Sequence, residues 1–85
     1  MSLRLAWSAE ATKNTRRLDR PPRERIIAAL EELARTRKGD LIRLKPLPGY
    51  RLRVGQWRVL LDLDTEAGTI LVHDVQARGR AYRRK

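Results

Sequence analysis

Apolar and other residues alternate at the start of the chain: Leu3, Leu5 and Trp7 fall on one side of an extended backbone, Arg4 and Ala6 on the other. A period of two predicts a short strand. Ser8 follows as an N-cap residue, and predicts a helix from about Ala9 to Asp19. Its apolar stripe is thin, made of Ala11, Thr15 and Leu18, and its other face carries Lys13, Arg16, Arg17 and Arg20. Pro21 and Pro22 stop this helix and suit the opening turn of another. From Arg23 to about Arg37 the period becomes helical: Ile26, Ile27, Leu30, Leu33 and Ala34 line one face, while Glu24, Arg25, Glu31, Glu32 and Arg35 take the other. Gly39 is the expected stop.

The second half is strand-like. Tyr50, Leu52 and Val54 share one side, Arg51 and Arg53 the other. Gly55-Gln56 reads as a turn. Trp57, Val59, Leu61 and Leu63 then form an apolar face opposite Arg58, Leu60 and Asp62. Thr65 to Gly68 reads as a hairpin loop, and Thr69 to Gln76 as the last strand, apolar on both faces at its start as an interior strand should be. The order β-α-α-β-β-β predicts an α+β domain, with a two-helix hairpin packed on one face of an antiparallel sheet. The other face is left open to solvent, and it is basic.

The 85 residues form one domain, 1–85, and contain no cysteine, so neither a disulfide nor a thiolate metal site is available. No apolar run reaches the roughly 20 residues that span a bilayer, and the first residues lack the pattern of a signal peptide. A soluble, cytoplasmic protein without a membrane partner is expected. The formal net charge of +10 is large for so short a chain and attracts polyanions: nucleic acid first, an acidic protein second, an anionic membrane third. The cations are nearly all arginine, whose fork binds phosphate in bidentate fashion and stacks on bases. A GC-rich coding bias also favours arginine over lysine, but does not account for the excess of positive over negative charge.

Period two places Arg51, Arg53 and Arg58 together on the open face, because their neighbours must cover the helices. Arg78 follows the last strand with the parity of Asp74 and Gln76 and can close the cluster. Such a group either holds an anion or is an arginine-rich solvent face. Lys13, Arg16 and Arg17 are read the same way, as RNA-phosphate contacts or as a solvated helix face. His73, the single histidine, has a parity opposite to Asp74 and Gln76, which directs it toward the helices in a structural role. Asp62 and Asp74 are expected on the open face, as bases or as salt-bridge partners of the arginines. No metal-ligand cluster, glycine-rich phosphate loop or nucleophilic triad is present, so no cofactor is expected.

Leu44-Lys45-Pro46-Leu47, the run Tyr50-Arg51-Leu52-Arg53-Val54-Gly55-Gln56-Trp57-Arg58-Val59-Leu60, and Val75-Gln76-Ala77-Arg78-Gly79-Arg80-Ala81-Tyr82-Arg83 resemble the RelE/ParE toxin superfamily. Ala11, Lys13, Leu18 and Arg25-Ile26 agree more loosely. The resemblance implies the fold read above and the toxin of a toxin–antitoxin pair. It implies a cognate antitoxin, the ribosome and mRNA as partners, and DNA only indirectly through the antitoxin complex. RelE-like members cut mRNA in the ribosomal A site. Carried over by residue, Arg51 and Arg53 match the two basic positions of the central strand, Arg58 the next conserved-type arginine, and Arg78 and Tyr82 the arginine and tyrosine of the tail. ParE-like members poison DNA gyrase without nuclease activity and usually lack this full set, which leaves gyrase inhibition as the alternative.

The implied reaction is metal-independent attack of the ribose 2′-hydroxyl on the adjacent phosphate. Fixed cations stabilise the phosphoryl charge that builds up, a base takes the hydroxyl proton and an acid protonates the leaving oxygen. Here the chain departs from the best-known members, which carry lysines where it has Arg51 and Arg53. Arginine stays protonated in proteins and is a poor base. Tyr82 is the candidate left in the matched set: a cationic cluster favours its deprotonated form, or its ring stacks on an RNA base.

Overall fold

The computed structural model describes residues 2–45 and 48–77. The elements run β1 (Arg4–Trp7), α1 (Ala9–Arg16), α2 (Arg20–Thr36), β2 (Leu41–Arg43), β3 (Tyr50–Val54), β4 (Trp57–Asp64) and β5 (Thr69–Ala77). They form a sheet of order β1-β5-β4-β3-β2. The α+β architecture, the helical hairpin and the three-strand meander agree with the pattern in the sequence.

The first helix starts at a side-chain cap, the second at its prolines. The Ser8 hydroxyl accepts a hydrogen bond from the Ala11 N–H at 3.0 Å, satisfying one orphan donor of α1. The same oxygen donates to the His73 carbonyl at 2.7 Å, so the cap also ties α1 to β5. α2 begins three residues before the expected Arg23, with Asp19 as N-cap and the prolines in its first turn. N–H groups there have no intrahelical acceptor, so proline removes nothing. α1 is correspondingly shorter than expected and stops at Arg16.

Gly39 does not cap α2. That position is taken by Arg37, in the left-handed region at φ 62°, whose N–H bonds the Leu33 carbonyl. Gly39 instead lets the chain pass close to the sheet: a Cβ there would lie 2.9 Å from Leu52 Cδ1.

Two features of the sheet differ from the expected meander. β2 is an additional short edge strand, with Leu41 opposite Leu52 and Ile42 opposite Arg51. Three residues, one of them an exposed isoleucine, carry too little alternation to announce a strand. The sheet is also not wholly antiparallel, because β1 runs parallel to β5. A hairpin would force antiparallel pairing, but β1 and β5 are separated by most of the chain and are free of that constraint.

The core lies between α2 and one sheet face. Ile26, Leu30 and Leu33 meet Leu52, Val59, Leu61, Ile70 and Val72, and all are almost wholly buried. Each such side chain contributes about 1.5–3 kcal/mol by leaving water. No helix among the described residues is long and apolar enough to cross a membrane. Leu30→Ala is expected to cost about 2–5 kcal/mol, the range for a buried leucine that leaves a cavity. Urea unfolding followed by circular dichroism measures it, and a change below about 1 kcal/mol would mean that Leu30 is not central to the core.

Candidate nucleic-acid interface on the open sheet face

The apolar residues of β3 and β4 face the helices, so the residues between them must face away. Leu52 pairs with Val59 on the core side, and in the next pair Arg53 stands directly opposite Arg58. Arg51 lies opposite Leu60 on the same open face. Side chains opposite one another in an antiparallel pair have Cβ atoms only about 4.5–5.5 Å apart. The sheet therefore brings together the three arginines read from the sequence.

Their surroundings differ. Arg58, on the inner strand, is only 8% exposed. Arg51 is partly buried, and its Nε is covered without a hydrogen-bond partner. Buried polar groups are normally satisfied, so this donor is suited to an incoming anion. Arg53 is more exposed, and its Nε bonds Asp40 Oδ2 at 3.0 Å. The Arg53 N–H also bonds the Asp40 carbonyl, which holds the segment before β2 against β3. Asp40 was not visible as part of this site, because its approach depends on the turn between α2 and β2.

The last strand corrects the expectation for His73. β4 and β5 keep a regular register from Asp64↔Thr69 to Leu61↔Val72, and resume at Leu60↔Asp74. His73 is the extra residue of a β-bulge. The bulge resets the alternation, so Val72 and Val75 both face the core although they are three apart. His73, alternating regularly with Ile70 and Val72, faces the open side, where its Nε2 lies 2.7 Å from Asp62 Oδ2; the bulge only makes the count from Asp74 and Gln76 fail. The spacing Val72-His73-Asp74-Val75, two apolar residues enclosing two polar ones, was the available signal in the sequence.

Asp62 is thus paired with His73. Asp74 turns to α1, where its Oδ1 accepts from Asn14 Nδ2 at 2.5 Å and its Oδ2 from Gln76 Nε2 at 2.9 Å. Gln76 stands opposite Arg58. Lys13, Arg16 and Arg17 are exposed on α1 and do not join the sheet arginines. Arg17 borders a cleft of about 550 Å³ between α1 and the end of β5, with Trp57 and Asp74 on its walls. Arg78 and Tyr82 lie outside the described residues.

No family model matches the chain, and no curated protein does. Solved structures do. The archaeal RelE–RelB complex from Pyrococcus horikoshii superimposes with a TM-score of 0.80 at 23% identity, over 94% of this chain and 99% of that one. The chain has the RelE fold. The RelB–RelE antitoxin–toxin complex from Methanococcus jannaschii gives a TM-score of 0.74 at 23% identity, over 91% and 94% of the two chains. The isolated E. coli RelE toxin gives 0.73 at 22% identity, over 89% and 84%. Within this RelE fold the open face of the present chain carries arginines on β3 and β4 and the His73–Asp62 pair on β4 and β5.

The Arg53–Asp40 pair gives a direct test of this face. Both side chains are about half exposed, so the bond contributes at most about 1 kcal/mol to stability. Asp40→Asn is expected to leave unfolding nearly unchanged and to tighten binding of a short RNA at low salt, while Arg53→Ala weakens it. Fluorescence anisotropy with a labelled oligonucleotide reads both. Equal affinities for all three proteins would remove Arg53 from the interface.

Proposed function

We propose that this chain is the toxin of a toxin–antitoxin pair and that it inhibits translation by cutting mRNA in the ribosomal A site. The observation that carries the proposal is the convergence of Arg51, Arg53 and Arg58 on one face of a RelE fold. Two of the similar structures are complexes of RelE with RelB, one of them described as antitoxin with toxin, which supports a cognate antitoxin for this chain. The open face suits such a cover: exposed Ile42 lies beside Arg51, offering apolar contact next to positive charge. The reaction would take place in the cytoplasm, with ribosome and mRNA as the working partners.

In this reading the scissile phosphate lies over Arg51 and Arg58. Arg58 is fixed by its neighbours before substrate arrives, so little reorganisation is needed as charge develops on the phosphoryl oxygens. Arg53 grips a flanking phosphate. Arg78 and Tyr82 act from the tail, the arginine on the phosphate and the tyrosine by positioning the RNA or moving a proton. Lys13, Arg16 and Arg17, on a separate surface, contact phosphates of the ribosome.

Two outcomes are expected. Expression without antitoxin arrests growth, and pulse labelling shows translation falling before DNA synthesis; early DNA damage signalling with intact mRNA would favour gyrase inhibition. Arg58→Ala slows single-turnover cleavage on programmed ribosomes by about 10²–10³-fold, the cost of one preorganised donor, with little change in ribosome affinity. Wild-type cleavage by Arg58→Ala would place the chemistry elsewhere.

A further inference from the structure

The arginine cluster stabilises charge but supplies no base, and His73, the single imidazole of the chain, lies on the same open face. We propose that His73, oriented by Asp62, is the general base that deprotonates the attacking 2′-hydroxyl, an inference that rests on the ribonuclease reading above. Three features of the structure carry it.

The first is placement. His73 alternates with the core residues Ile70 and Val72 and so faces away from the core, on the side of Leu71 and Asp62. By strand spacing its Cα lies roughly 10–12 Å from those of Arg51 and Arg58. Long side chains converging from both sides can span that gap around one phosphodiester.

The second is the hydrogen bond to Asp62. A carboxylate acceptor at Nε2 holds the proton on that nitrogen, leaves the lone pair on Nδ1, and stabilises the imidazolium once it forms. Nδ1 makes no hydrogen bond to the described residues, and the side chain is 45% exposed, so the basic nitrogen is accessible to substrate.

The third is that both members are held. Ser8 bonds the two carbonyls at the bulge, with its N–H to Val72 and its hydroxyl to His73. Gly49, at φ 100°, presses on the other partner: a Cβ there would lie 3.0 Å from Asp62 Oδ1 and from the Leu61 carbonyl. A bulge pinned by a helix cap and a glycine fitted against the carboxylate are more than a solvated ion pair needs.

The step balances without a metal. Nδ1 takes the 2′-hydroxyl proton as the O2′–P bond forms, and the P–O5′ bond breaks. The 5′-oxygen takes a proton from solvent, and the imidazolium returns its own. The products are a 2′,3′-cyclic phosphate and a 5′-hydroxyl end. Asp62 is a positioning residue, since it acts through the imidazole.

The test is single-turnover cleavage on programmed ribosomes across a pH series, with wild type, His73→Gln, Asp62→Asn, Asp62→Glu and Arg58→Ala. Charged groups sharing the open face with His73 are Arg4 from β1, Arg51 and Arg53 from β3, and Arg58, Asp62 and Asp64 from β4; Asp74, its neighbour on β5, turns to Asn14. Glutamine can still donate to Asp62 but has no basic nitrogen, so His73→Gln keeps the structural bond and removes only the base. Its cleavage is expected to fall by about 10²–10⁴-fold, the usual worth of general base catalysis, and its pH profile to differ from that of wild type. Asp62→Asn loses less, and Asp62→Glu regains part of the loss. If His73→Gln cleaves like wild type with an unchanged pH profile while Arg58→Ala is slow, the base assignment is overturned and the ribonuclease reading stands. If wild type itself cuts nothing, both fall together.

Discussion

The bulge at His73 is the constraint on which the packing of the last strand depends. β5 lies between β1 and β4 and must bury Ile70, Val72 and Val75 against the helices. Strict alternation cannot put both Val72 and Val75 on one face. One extra residue resolves the conflict, and Ser8 fixes where it goes by bonding the carbonyls of Val72 and His73 while capping α1. The same residue therefore caps the first helix and attaches it to the sheet at the bulge.

Hydrophobic burial on one face of the sheet also determines the charge on the other. Leu52, Val54, Val59 and Leu61 have no alternative to the core, so the intervening arginines are carried to the open face whether or not their mutual repulsion favours it. The fold manages this unevenly. Asp40 takes the outer guanidinium, Arg53, whereas Arg51 keeps a covered donor without an acceptor. The negative charges of β4 and β5 go elsewhere: Asp62 to His73 and Asp74 to Asn14. Among the described residues, Asp62 and Asp74 thus bond other partners on a face where the Arg51 Nε is covered without an acceptor.

The chain thus separates two kinds of basic surface. The α1 cations stand on an exposed helix, where solvent and salt screen them. Of the sheet arginines, Arg58 is buried and Arg51 partly buried, while Arg53 is exposed and paired with Asp40, and strand register fixes the place of all three.

Periodicity determined most of the architecture. The change from period two to period 3.6 and back marks β1, the helices and the β3–β4–β5 meander, because burying one face of each element leaves its residues no choice of side. The same logic placed Arg51, Arg53 and Arg58 on the open face, since each sits between core residues of a regular strand. Where local pattern was broken or too short, only the tertiary structure could decide. β2 exists because the chain after α2 lies along β3, and Arg37, not Gly39, ends the helix by turning left-handed and bonding the Leu33 carbonyl. β1 runs parallel to β5 because no hairpin constrains it. His73 faces Asp62 because it alternates regularly with Val72; its count from Asp74 and Gln76 fails because a bulge intervenes, and a residue's side in a strand is fixed by its count from its neighbours only while the pairing is regular.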